Sequence, residues 1–318
     1  MIVPARITRL DWMVRACIAA MAAFCFASPL LGGRPVVIQG EEFSLAVLAL
    51  MVAIAVLYGP RRRNLPGFAR LAGLVADIMA QGLVFGMASY VFAGMAGPLM
   101  DGRLAALDGA IGFDWLTTFR LVQSAPALEW ALCIGYYSMM AQLGLWLLLL
   151  SWRGEHDRVR LLINAFAINA ILAIVLSGLV PAMGAFPYFG VLAADGLQST
   201  APVPGIVSGP YRELMALRSG AMQEIVLVQT SGIVTFPSFH TMTGVVLAAS
   251  VWHIGWLRLP ALVLNALLIA ATPPVGGHYL VDTLAGLVLA ALVLILCRHY
   301  VMTPLPAPAA APAMAAQT

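Results

Sequence analysis

Long apolar runs, separated by short polar or Pro- and Gly-bearing links, dominate the sequence. A helix needs about 20 apolar residues to cross a bilayer. Eight runs approach that length: 12–31, 43–58, 71–93, 128–150, 161–180, 237–256, 259–272 and 278–297. The seventh is short and is bounded by Pro260 and by Pro273-Pro274, which predicts a tilted, broken or partly re-entrant segment. The pattern therefore predicts an all-α polytopic membrane protein with about eight transmembrane helices. It divides into an N-terminal transmembrane hairpin (1–70), a helical bundle (71–300) and an Ala/Pro-rich disordered tail (301–318). Basic residues precede the first run, as in a signal peptide. That run continues to Leu31 without a small-x-small cleavage site before a polar domain, so an uncleaved span is expected.

Composition agrees and adds one constraint. Of 318 residues, 62% are apolar and 10% charged, against about 25% charged in an average soluble domain. Net charge is +3, too weak and dispersed for a polyanion, so no nucleic-acid partner is expected. All 17 basic residues are arginine, which removes any mechanism that needs lysine. The four cysteines, Cys17, Cys25, Cys133 and Cys297, lie in apolar stretches without CxxC spacing. They read as small hydrophobes rather than zinc ligands or a disulfide. With the N-terminus inside, 12 of the arginines fall on the cytoplasmic side, and Arg34, Arg103, Arg120, Arg212 and Arg218 fall outside. The positive-inside rule selects this orientation, with an even number of spans and both termini cytoplasmic.

Two long loops then face outward. Residues 96–127 carry DGRLAALDGAIGFDW, in which Leu104, Leu107, Ile111 and Leu116 recur at near-helical spacing. A helix lying in the membrane interface fits that stripe, and a covering loop without chemistry fits equally. Residues 182–235 are rich in Gly, Pro and Ser and contain GPYRELMALRSG. Long ordered loops of this kind tend to be functional.

Chemistry-bearing residues converge on the same face. FPSFH (236–240) opens the sixth run, GGHYLVD (276–282) opens the eighth, and Arg212 and Arg218 precede the sixth. From His240 the chain runs inward for about 17 residues, roughly 25 Å, and returns through the seventh run. His240 and His278 should therefore stand level in depth. Asp282 follows His278 by four residues, which places both on one helix face. A carboxylate there accepts a hydrogen bond from one imidazole nitrogen and leaves the other free as a nucleophile. Asp282 sits about one turn into the apolar layer, where a carboxylate is costly and usually functional. Two His and one carboxylate are also a metal-site pattern, but neighbouring arginines suit a phosphate better than a cation. The remaining histidines read as structural: His156 and His299 as interfacial residues, His253 as a packed residue inside the sixth run. Asp77, in the third run, reads as structural beside Arg70.

The pair FPSFH and GGHYLVD resembles the motifs of the type 2 phosphatidic acid phosphatase (PAP2) superfamily of membrane phosphoesterases. Pro237, Ser238 and His240 match its PSGH-like motif, with Phe239 where glycine is common. His278 and Asp282 match the end of its SRxxxxxHxxxD motif, but Ala271 and Thr272 stand at the serine and arginine positions. The lysine-and-arginine motif is absent, with Arg212 and Arg218 as the nearest substitutes. These departures resemble the branch of the inositol phosphorylceramide synthases, which keeps both His and the Asp while relaxing the basic residues.

The resemblance makes 71–300 a PAP2-like catalytic bundle. It implies His278 as the nucleophile that forms a phosphohistidine, His240 as the acid and base, and Asp282 as the group that orients His278. Ser238, Arg212 and Arg218 would hold the phosphoryl oxygens, with no metal or cofactor. The partners implied are a lipid phosphate or phospholipid in the bilayer and a hydroxyl acceptor or water. An inositolphosphotransferase-like lipid phosphotransferase on the extracytoplasmic face of a plasma or inner membrane is the leading expectation. A lipid phosphate or polyprenyl diphosphate phosphatase is the alternative. A non-catalytic transporter or lipid-binding scaffold is the alternative of another class.

Overall fold

The computed structural model describes residues 9–38, 66–191, 203–230 and 232–302, with 47, 49–50 and 52–53 between the first two stretches. The expected span 43–58 and the tail 301–318 lie outside or largely outside the described residues. Ten helices organise the rest: α1 (Arg9–Ala27), α2 (Pro66–Met95), α3 (Asp101–Ala110), α4 (Trp115–Gln123), α5 (Pro126–Trp152), α6 (His156–Leu179), α7 (Val203–Ser219), α8 (Phe239–Val251), α9 (Arg258–Ala271) and α10 (Leu280–Met302). A single helical turn, Ala185–Tyr188, follows α6. Two-residue strands, β1 (Val36–Val37) and β2 (Ile225–Val226), pair in parallel.

Among the described residues, five helices are long and apolar enough to cross a membrane: Arg9–Leu31, Gly73–Met95, Pro126–Trp152, His156–Leu179 and Leu280–Tyr300. The chain is an all-α polytopic membrane protein, and these five coincide with five of the eight expected runs. The sixth and seventh runs form α8 and α9, of 13 and 14 residues. At 1.5 Å per residue each is about 20 Å long, against about 30 Å of hydrocarbon. On α10, Leu284, Val288, Leu292 and Ile295 are exposed along one stripe, the spacing of a helix face turned to lipid.

The two short helices are placed by their neighbours. α8 packs against α5, α6, α9 and α10, and Met242, Val246, Leu247 and Val251 on it are fully buried. Polar side chains bridge helices inside the bundle. Asn265 on α9 donates to Gln142 on α5 at 2.8 Å, and Asn169 on α6 donates to the Met242 carbonyl at 3.3 Å. Such bonds are modest in energy but fix which faces meet. Gly135 permits a close approach: a Cβ there would stand 2.6 Å from Leu267 on α9.

The ends of the bundle differ in charge. Arg160 pairs with Asp11 at 2.9 Å, Glu155 pairs with Arg153 and with His253, and Arg258 opens α9, all at one end. His253 is therefore a residue of the turn after α8, because the helix stops at Val251, and not an interior residue of a span. Asp77 pairs with Arg15 of α1 at 2.8 Å; the contact between α1 and α2 supplies its partner. The opposite end holds α3, α4 and the starts of α5, α8 and α10.

The loop 182–235 contains a helix that its composition conceals. α7 forms with Pro210 inside it, because Leu214 and Leu217 are buried against the bundle. α3 also differs from the expected apolar stripe. Its buried face is Asp101, Leu104 and Asp108, while Leu107 and Ile111 are exposed.

Candidate active site

Ser238 caps α8, its hydroxyl accepting from the Thr241 amide at 3.3 Å. Its own amide donates to the Asp282 carbonyl at 3.1 Å, which ties the start of α8 to the start of α10. His240 is the second residue of α8. Its ring stacks on Tyr136 of α5, with centroids 4.3 Å apart and planes at 16°. The Tyr136 hydroxyl lies 3.3 Å from His240 Nδ1.

His278 stands two residues before α10 begins, not on the helix itself as its spacing to Asp282 implied. The turn Gly276-Gly277 sets that position. Gly277 has φ of 71°, and a Cβ on it would meet the Phe186 ring at 2.3 Å. A Cβ on Gly276 would meet Tyr136 and the Thr272 carbonyl at 2.7 Å. Across this turn, Asp282 Oδ2 lies 3.4 Å from His278 Nδ1 and accepts from the Tyr279 amide at 3.0 Å. Asp282 is fully buried and His278 is 5% exposed. The rings of His240 and His278 meet edge to face, with centroids 6.3 Å apart and planes at 61°.

Two carboxylates of α3 hold this turn from outside the bundle. Asp108 accepts from the amides of Leu280 and Val281 at 2.8 and 2.9 Å. These are among the first amides of α10, which have no partner within the helix. Asp101 accepts from the Tyr279 hydroxyl at 2.8 Å and from the Met183 and Gly184 amides at 3.0 and 3.1 Å. The Trp115 indole, on α4, donates to the Pro273 and His278 carbonyls at 3.1 Å each. Burial pushes the Asp108 carboxyl above the usual carboxylate range, against the opposing pull of its two amide donors.

A cavity of about 530 Å³ opens beside the two histidines. Tyr136, Tyr137, Tyr211, Glu213, Met183 and Phe186 contribute to its wall. The structure brings His240, His278 and Asp282 together, as their motifs predicted. It does not bring the expected phosphate-holding residues to the cavity wall. Ser238 is fully buried and occupied as a helix cap. Arg218 donates to the carbonyls of Ala93, Ala96 and Gly97 at the end of α2, and Arg212 is exposed. The reason is the direction of α7: its Tyr211, Glu213 and Leu214 take the cavity side. Thr272, at the position of the family's arginine, bonds to Leu268 and Thr241 between α8 and α9. Among the described residues no group of three His, Cys, Asp or Glu side chains is disposed to hold a metal ion. The cysteines are free.

Four contributors escaped the motif reading. Tyr136 lies in an apolar run and meets His240 across 104 residues of sequence. Glu213 stands beside the arginine that drew attention. Asp101 and Asp108 are seven residues apart, two helical turns, and their shared face with Leu104 was the available signal.

A search of curated proteins and one of solved structures found no match to this chain. The sequence profile of the PAP2 superfamily matches residues 102–296, more than half of the chain, and the match takes in α3 after its first residue, both histidine motifs and most of α10. The chain belongs to the PAP2 superfamily.

Proposed function

We propose that the protein is an integral membrane enzyme that transfers a phosphoester group from a lipid phosphate through a phosphohistidine. The observation that carries the reading is the pair of adjacent imidazoles at the cavity, 6.3 Å apart, with Asp282 on Nδ1 of His278. That contact leaves Nε2 of His278 as the nucleophile. Nε2 attacks phosphorus, the P–N bond forms, and the P–O bond to the leaving alcohol breaks as His240 gives its proton to that oxygen. An acceptor hydroxyl then attacks the phosphohistidine. His240 takes the acceptor's proton, the P–N bond breaks, and both imidazoles return to their starting state. Water as acceptor makes the enzyme a phosphatase; a lipid or polyol hydroxyl makes it a transferase.

Transfer is the reading we favour, on the relaxed basic motifs that resemble the inositol phosphorylceramide synthase branch. The site faces the extracytoplasmic leaflet, because the arginine-rich end of the bundle is the other one. Phosphoryl oxygens between the imidazoles lie within reach of His240 and the Tyr136 hydroxyl. A preorganised contact of this kind stabilises charge as it moves.

The test is an alkaline-denaturant quench of the purified protein with headgroup-phosphate-labelled phospholipids, with and without alcohol acceptors. Label on His278 that is stable to base and labile to acid is expected, with its release accelerated by an alcohol. Turnover that survives His278→Ala overturns the mechanism, and release as free headgroup phosphate whatever the acceptor overturns transfer. For the face, a membrane-impermeant maleimide should reach Leu121→Cys from outside intact cells. Reaction only after permeabilisation reverses the topology.

A further inference from the structure

The two imidazoles are backed by different chemistry. His278 has the Asp282 carboxylate on Nδ1. Among the described residues no carboxylate forms an ion pair with His240. What backs His240 is the ring of Tyr136, stacked on it with centroids 4.3 Å apart and planes at 16°. The Tyr136 ring is itself held in place. Tyr137 meets it edge to face at 5.5 Å, and it fills the space beside Gly276, where a Cβ would stand 2.7 Å from the ring.

The two roles ask for different partners. His278 attacks as a neutral imidazole, and a carboxylate on its far nitrogen fixes the tautomer. His240 is cationic when it gives its proton to the leaving oxygen, and neutral when it takes one from the acceptor. It does so at the second residue of α8, where the helix dipole opposes a positive charge. A carboxylate there would hold the cation by a full charge and slow the release of its proton. An aromatic face within about 6 Å attracts a cation through its quadrupole, more weakly and with no charge of its own. We propose that Tyr136 is a positioning residue for His240, its ring fixing the plane of the imidazole and steadying the imidazolium of the acid step. The proton passes from that imidazolium to the leaving oxygen, and the acceptor's proton restores it. This rests on the phosphoester-transfer reading and adds to it a residue outside both histidine motifs.

The experiment follows label appearing on His278 in the wild type, Tyr136→Phe and Tyr136→Leu. Two donors deliver the same labelled hexadecyl phosphoryl group and differ only in what leaves. Dihexadecyl phosphate expels an alkoxide that needs a proton; hexadecyl 4-nitrophenyl phosphate expels a nitrophenolate that does not. Tyr136→Leu should slow labelling by dihexadecyl phosphate about thirtyfold, the worth of a desolvated cation–π contact. With the nitrophenyl ester its effect should be less than about threefold, and Tyr136→Phe, which keeps the face, should stay within about threefold on both. An equal loss on both donors overturns the proposal, since a distorted site or a lost phosphoryl contact acts whatever group leaves. A Tyr136→Phe loss as large as that of Tyr136→Leu also overturns it, by assigning the effect to the hydroxyl, and so does an unimpaired Tyr136→Leu. Tyr136→Met, whose flexible side chain fills irregular gaps, carries the same comparison if Tyr136→Leu does not fold. Failure of the phosphohistidine reading looks different: the wild type takes up no label on His278 from either ester or from the phospholipids, and the proposal falls with it.

Discussion

Asp108 offers a direct measure of how the outer helix holds the turn that carries His278. Both of its carboxylate oxygens are used, one on the Leu280 amide and one on the Val281 amide, and the side chain is buried. Asp108→Ala removes both acceptors and leaves two amides at the start of α10 without partners. Each such buried donor costs about 1–3 kcal/mol, and relief of a buried charge offsets part of the sum. A net loss of about 2–4 kcal/mol is expected, somewhat above the 0.5–2 kcal/mol of an ordinary cap removal.

Asp108→Asn keeps one acceptor and turns an NH2 group toward the other amide, so its loss should be about half. Burial holds the Asp108 carboxyl above its usual range, so protonation is easier in the folded than in the unfolded chain. That contribution is fully present below the unfolded carboxylate range and is lost as pH rises through the folded value. The stability gap between wild type and Asp108→Asn should therefore widen as pH falls from neutral.

In activity, a displacement of about 1 Å at His278 lowers turnover on the order of 100-fold. Since Asp108 does not line the cavity, kcat should fall and KM should stay within about threefold. The assay is thermal unfolding in detergent together with initial rates on a diester lipid. Unchanged unfolding with unchanged kcat for Asp108→Ala refutes the clamp, and a loss confined to KM refutes its assignment to positioning.

Two further substitutions test neighbouring parts of the reasoning. Gly277→Ala places a Cβ 2.3 Å from Phe186 at a positive φ and should destabilise by about 1–3 kcal/mol with loss of turnover; a fully active, equally stable variant refutes the turn geometry. Arg218→Ala should lower thermal stability through the carbonyls it leaves at the end of α2, while Arg212→Ala should not; a raised lipid KM in either, without loss of stability, returns that arginine to phosphate binding.

The long helices were legible because a bilayer demands a length of apolar residues that little else requires. α1, α2, α5, α6 and α10 announced themselves in this way. α7 did not, since Gly205, Pro210 and a Ser-rich surround argue against a helix, and only burial of Leu214 and Leu217 overrides them. At the site, His240, His278 and Asp282 were legible as two short motifs whose depths had to agree. The distance from Arg212 and Arg218 to the sixth run was legible too. Which side of α7 faces the cavity was not, because direction around a helix axis depends on what packs against it. Asp101 and Asp108 were misjudged for a similar reason. The leucines of that segment suggested an apolar stripe, whereas unpartnered amides at the start of α10 reward a buried carboxylate.

The shortness of α8 has a consequence for how the protein is assembled. A 13-residue helix, with Thr241, Thr243 and Ser250 at fully buried positions, is too short to span the hydrocarbon on its own. Its stable place exists only once α5 and α6 are already in the bilayer to receive it, with α9 and α10 closing behind. The α8–α9 hairpin is therefore expected to settle into the bundle after α5 and α6 have inserted. His240 and His278 come together in that last step, so a half-inserted chain does not assemble the candidate site.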